Sequence, residues 1–358
     1  MPTALRTVFG TLCVLAHSIA VPHAGASEPE QNMPLAIRTV AKAGSAAERS
    51  SGHNPLQIGV YDPHEQYGLS DGPSIEHVFI YWQSVDAPML AAKMRLAAER
   101  GRTLLVTVEP YTKAENWRDG GNRLFKDILG GKFDGQIRTV CNMISTFPGK
   151  YWIRWGHEME DPSSRYPWAR GDPDGYIKAY RYFADACKEL APRARLVWSP
   201  KGNAGLGEYF PGSHYVDIIG VALWGLEKWD IDTYGKRRSF IESFAEKYRR
   251  VEKFRKPVII AELGISGSAS YRERWMTQIS RLSGGATSFP LLAGVVYFND
   301  KEPYHWPDGY GSPDWSKTIL EFGSRDVDAH APALLEKQWT ADRNLPPPVG
   351  HEPLFAAR

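Results

Sequence analysis

The chain predicts an α/β fold, a single (β/α)8 barrel of the TIM type. Three observations carry that reading. Eight short apolar runs recur between residues 56 and 298, each suited to a strand buried on both faces of a parallel sheet. Helical patterns separate most of the runs. Two runs end abruptly in a glutamate, Glu158 and Glu262. A carboxylate at the end of a buried strand is costly unless the fold needs it there, and barrel strand ends open onto the catalytic face.

The runs are Leu56–Tyr61, Val78–Trp82, Thr103–Val108, Tyr151–Trp155, Arg195–Trp198, Val216–Val221, Pro257–Ala261 and Leu292–Phe298. Between them, Ala87–Arg100 reads as a helix that stops before Gly101. Asp172 and Pro173 open a helix through Leu190 as N-cap and first-turn proline. Arg238–Arg250 and Ser268–Leu282 are two more. Little helical pattern follows Tyr61 or Trp198, so the first and fifth units should be abbreviated. A doubly wound open sheet is the competing arrangement. It would place a glycine-rich phosphate turn after the first strand, where this chain has Tyr61-Asp62-Pro63-His64-Glu65.

Composition excludes some functions and suggests a destination. The net charge of +2 over 358 residues gives no basic field for nucleic acid. Arg6 followed by the apolar stretch Val8–Val21 is too short to span a membrane and reads as a signal peptide over residues 1–26, with cleavage after Ala26. A secreted or periplasmic protein with no membrane span in the mature chain is expected. Residues 27–54 read as a flexible leader, 55–330 as the barrel, and 331–358 as a proline-rich disordered tail. Export leaves Cys141 and Cys187, which either pair or remain buried thiols. A monomer acting on an external polymer is the expected state.

Two carboxyls facing each other across one mouth suit glycoside hydrolysis. One protonates the leaving oxygen while the other meets the developing oxocarbenium carbon. Mutual repulsion would raise one pKa and keep a proton on the acid. The fourth and seventh strand ends, which carry Glu158 and Glu262, would supply the close spacing of a retaining enzyme. His157-Glu158 lacks a second histidine at helical spacing, so no zinc-protease pattern is present. No metal or cofactor is expected.

The flanking residues add a resemblance. Arg154-x-x-His157-Glu158-Met159 resembles the R-x-x-H-E-M segment of glycoside hydrolase family 26, the β-mannanase family within the clan of (β/α)8 retaining glycosidases. The segment from Lys256-Pro257 to Glu262-Leu263-Gly264 is similar to that family's nucleophile strand. The resemblance implies Glu158 as acid/base, Glu262 as nucleophile, and His157 in contact with substrate near the 2-hydroxyl. Tyr215–Gly220 is similar to the clan's sixth strand. Tyr297-Phe298-Asn299 and Trp306 are similar to its eighth strand and following loop, and Tyr166-Pro167-Trp168 lies where the family has aromatic subsite residues.

Three departures from the pattern stand out. Glu160-Asp161 replace the usual Asn-Gly after H-E-M, and could raise the acid's pKa, bind a cation, or stand as solvated loop charges. Trp224 stands where a tyrosine commonly hydrogen-bonds the nucleophile, and indole can donate but not accept. Tyr297 stands where many clan members have a tryptophan platform.

Substrate contacts are expected from Arg154, His157, Glu109 and the aromatics Trp82, Trp168, Trp198, Trp224, Tyr297 and Trp306, most of them at or after strand C-termini. Trp152 and Trp275 fall mid-strand and mid-helix and read as core. The expected activity is that of a retaining endo-β-glycanase, with β-1,4-mannan leading and mixed-linkage β-glucan or a bacterial exopolysaccharide next. A catalytically silent polysaccharide-binding barrel is the alternative of another class.

Overall fold

Eight parallel strands close on themselves in chain order, with β1 pairing β8. They are β1 (Gln57–Tyr61), β2 (Ile75–Tyr81), β3 (Thr103–Glu109), β4 (Tyr151–Trp155), β5 (Arg195–Trp198), β6 (Ile218–Leu226), β7 (Val258–Ser266) and β8 (Leu292–Phe298). The structure is a computed structural model describing residues 56–67, 72–282, 288–302, 306 and 309–316. The expected signal peptide (1–26), leader (27–54) and tail (331–358) lie outside the described residues.

Helices wrap the barrel: α1 (Ala87–Glu99), α2 (Gly121–Leu129), α3 (Asp134–Ser145), α4 (Pro173–Leu190), α5 (Glu227–Tyr234), α6 (Phe240–Val251) and α7 (Ala269–Leu282). Local chemistry sets their starts. Asp86 and Asp172 accept from the third amide onward, at Met89 and Gly175, each with a proline in the first turn. Ser239 and Glu242 form a reciprocal capping box on α6. As expected, β5 leads only into 3-10 turns, at Leu206–Tyr209 and Ser213–Tyr215. Two helices lie outside the helical stretches read from the sequence: α2 within 111–131 and α5 within 225–236.

Strand side chains alternate between two cores. Ile75, Leu105, Trp152, Val197, Ile218, Ile259, Ala261 and Val296 fill the barrel interior as one cluster. The opposite parity packs under the helices; Trp275 is fully buried there, as its mid-helix position predicted. Cys141 on α3 and Cys187 on α4 are joined by a disulfide, with Cα atoms 5.3 Å apart.

Candidate active site

Parity places the polar residues. With Leu105, Trp152 and Val197 pointing inward, so do Thr107 and Glu109 on β3, Arg154 on β4, and Ser199 just past β5. On β2, Ile75 inward brings His77 and Phe79 inward as well. Strict alternation would turn Glu262 outward, because Ile259 and Ala261 point in. A β-bulge corrects this. Ile260 pairs with Val221 but Glu262 with Ala222, so Ala261 is an extra residue that turns Glu262 back toward the mouth.

Arg154 is the hub. Its side chain is fully buried and touches Glu262 Oε1 through Nη2 at 2.6 Å. Its Nε donates to Ser199 Oγ at 2.8 Å, and its Nη1 to Thr107 Oγ1 at 3.2 Å. Thr107 Oγ1 lies 2.7 Å from His77 Nε2. Since the hydroxyl accepts from Arg154, its own proton is free to point at the imidazole. Burial, then the Arg154 charge, holds His77 well below the ordinary histidine range, so it is neutral. Burial pushes the Glu262 carboxyl up; Arg154 pulls it back, and the Glu158 charge adds to the rise.

Glu158 follows β4 on a tight turn in which both Gly156 and Glu158 have positive φ, 54° and 53°. For a glutamate this conformation costs of order 1–3 kcal/mol. Its N–H donates to Ser199 O at 2.8 Å. His157 is buried, with Nε2 3.2 Å from the Tyr166 hydroxyl, while Trp168 Nε1 donates to the His157 carbonyl. Tyr166 stacks on Trp168 at 4.7 Å. Burial chiefly, with Arg154 and Arg165 nearby, keeps His157 neutral.

Glu109 ends β3 and accepts from the Tyr111 hydroxyl at 3.3 Å. Burial and the neighbouring Glu262 charge push its pKa up to about 8. Arg165 donates to Glu302 at 2.8 Å, joining the loop after β4 to the loop after β8, the strand opposite it in the ring. The aromatic wall comes from Tyr61, Phe79, Trp224, Phe298, Trp306 and Trp315. Trp224 packs against Trp315 at 4.9 Å, Phe298 at 5.5 Å and Trp306 at 6.0 Å.

Four expected sugar-binding aromatics need correction. Trp82 and Trp198 have outward parity. Trp82 stacks on Phe133 and donates to Tyr111 O, while Trp198 packs against the edges of the stacked pair Phe210 and Phe254. Tyr297 also points outward and donates to Trp315 O, so the mouth-facing residue at the end of β8 is Phe298. Trp168 is fully buried beneath Tyr166. Nearness to a strand end selected Trp82 and Trp198, and the family resemblance selected Trp168 and Tyr297, whereas parity decides which face a strand's ring takes. Trp224 and Trp306 do reach the mouth.

Glu160 and Asp161 are buried rather than solvated. Glu160 accepts backbone N–H groups, and Asp161 pairs with Lys201 at 2.6 Å. Among the described residues no group of three His, Cys, Asp or Glu side chains is arranged to hold a metal ion. Nor is any described helix long and apolar enough to cross a membrane. Sequence reasoning missed His77, Thr107, Ser199, Phe79 and Phe298. Counting inward positions back from Glu109 and along β2 would have found Thr107 and Phe79.

Barrel and bulge bring Glu262 to the same mouth as Glu158, and comparison with known proteins finds likenesses in both sequence and fold. No family model matches the chain. In sequence it is similar to Endoglucanase H of Acetivibrio thermocellus, at 26% identity over 248 residues, covering 65% of this chain. The chain spans about a quarter of that relative's length, 25%.

In structure it is similar to GH26C from Muricauda sp. MAR_2010_75, with TM-score 0.56 and 12% identity over 82% of this chain and 89% of that one. It is also similar to a Cellulomonas fimi endo-beta-1,4-mannanase double mutant, with TM-score 0.53 and 14% identity over 81% and 71%. The resemblance to glycoside hydrolase family 26 carried by the two glutamate motifs is therefore met again in the fold.

Proposed function

We propose that the protein is a secreted retaining endo-β-glycanase that cleaves β-1,4-mannan-type polysaccharide by double displacement, with no metal or cofactor. One observation carries the reading: two buried glutamates stand at one barrel mouth, and one of them, Glu262, is held by a buried arginine. Glu262, oriented by Arg154, attacks the anomeric carbon as Glu158 protonates the departing glycosidic oxygen. A covalent glycosyl-Glu262 ester forms and the shortened chain leaves as an alcohol. Glu158, now a carboxylate, takes a proton from water; the resulting oxygen attacks the same carbon and Glu262 departs. Neutral His157 and the largely protonated Glu109 are placed to hydrogen-bond sugar hydroxyls. Trp224 and Trp306 offer ring faces for stacking, and the protein acts as a monomer.

A β-glucan substrate is the second reading, favoured by the sequence likeness to an endoglucanase. Reducing-end assays on mannans, β-glucans and xylans, with product lengths resolved, separate the two. The proposal requires that Glu262→Ala abolish cleavage of whichever polymer is hydrolysed. A folded Glu262→Ala protein that still cleaves it rules out the nucleophile assignment. A wild-type protein that binds a polymer but cleaves none is a binding barrel.

A further inference from the structure

Glu158 sits in a backbone conformation that glutamate avoids, φ 53°, so something must hold it there. Two residues further on, Glu160 is 9% exposed, and its carboxylate accepts three consecutive backbone amides from the loop after β5. Oε2 accepts from Lys201 N at 3.1 Å, while Oε1 accepts from Gly202 N at 2.8 Å and Asn203 N at 3.0 Å. Asp161 adds its ion pair with Lys201 at 2.6 Å. Ser199, whose carbonyl receives the Glu158 N–H, begins the same loop.

The loop is gripped from its other side by α6. Lys247 Nζ donates to Lys201 O at 2.6 Å and to Ala222 O at 2.7 Å, and Arg250 donates to Gly202 O at 2.7 Å. Ala222 is the strand partner of Glu262. One carboxylate and one ammonium thus join the ends of β4 and β5 to the middle of β6, linking the turn that carries Glu158 to the strand beside Glu262. None of these groups needs to touch substrate. Charge-assisted bonds in a buried setting are strong and geometrically exacting, which suits a part whose work is to fix a neighbour's position.

We infer that Glu160 is a positioning residue for Glu158, and that its clamp on the 201–203 amides, backed by Lys247, holds the acid/base in reach of the glycosidic oxygen. The inference rests on the reading of Glu158 as acid/base. Proton delivery matters only when the leaving oxygen is basic. A dinitrophenolate departs without a proton, whereas a sugar alkoxide needs one as the C–O bond breaks.

The test compares kcat/KM on dinitrophenyl β-mannobioside with that on mannotetraose, or on the gluco equivalents if β-glucan is the polymer cleaved. Glu160→Gln should lose about 10- to 100-fold on the oligosaccharide, the scale expected when a catalytic group is misplaced by about 1 Å. Its loss on the dinitrophenyl substrate should be under about threefold. Lys247→Gln should show the same discrimination to a smaller degree. Should Glu160→Gln not fold, Lys247→Gln alone decides. Equal losses on both substrates, or none on either, overturn the inference. Glu158→Ala is the control. If it shows no such discrimination, the acid/base reading itself falls; if it does and the clamp variants do not, only the positioning role falls.

Discussion

Arg154 shows how much one residue can determine here. Its guanidinium makes three contacts, an ion pair with Glu262 and hydrogen bonds donated to Ser199 and Thr107, each from a different strand or strand end. Removing one partner of a buried ion pair strands the other, at about 3–5 kcal/mol. Arg154→Leu should therefore lower stability by that order in chemical denaturation and abolish hydrolysis. Arg154→Lys should recover part of the stability but not the three-way geometry.

Glu109 gives a pH signature. Its pKa in the folded protein is raised from 4.5 to about 8, so the native state holds a proton that the unfolded state releases. That contribution to stability is complete below about pH 4.5 and is lost as pH rises through about 8, with a slope of up to about 1.4 kcal/mol per pH unit. Glu109→Gln, which stays neutral, should flatten the stability profile across that window when unfolding is followed by denaturant titration. An unchanged slope would mean that Glu109 is ionised in the native state.

The period of the strands, two, decides what could be read at the scale of elements. Where a strand was regular its limits were legible: β4, β5 and β8 run as their apolar sequences suggest. β6 and β7 continue to Leu226 and Ser266, beyond the apolar runs, because they pair with each other past the bulge. That bulge was invisible in Val258–Glu262, since an extra residue in a ladder leaves no mark on an unbroken apolar run. The same blindness to parity assigned outward-facing Trp82 and Trp198 to the mouth, as the family resemblance did Tyr297. Gly264 is a glycine for a definite reason. A Cβ there would lie 2.5 Å from the Trp224 ring and 2.7 Å from Trp315. Gly264→Ala should cost about 1–3 kcal/mol by overpacking and displace Trp224, seen as a lower melting temperature together with a raised KM.

Between helices, the disulfide from α3 to α4 closes a loop with a sequence separation of 46. By loop-closure entropy it contributes about 4 kcal/mol. Cys141→Ala with Cys187→Ala should lower stability by up to that amount while leaving kcat near the parent value.

Over the whole molecule, eight recurring runs were enough to imply a closed ring, and the ring brings two distant glutamates to one mouth. Glu158 and Glu262, with Arg154 and His157, stood out in the sequence because each sits in a compact motif next to a strand, but Arg154, expected to touch substrate, is fully buried and is spent on Glu262 instead. The network beneath them was not. His77, Thr107, Ser199 and the Glu160 clamp converge from four separate places in the chain, and only the closure of the barrel makes them neighbours. Under the proposed function, the choice of polymer would fall to the mouth surfaces around Trp224, Trp306 and the Arg165–Glu302 pair.

The central claim is double displacement through Glu262. It is tested most directly by proton NMR of the first product formed from a β-linked oligosaccharide, before mutarotation. The account predicts that the new reducing end appears with the β configuration. A product that first appears as the α anomer would contradict it.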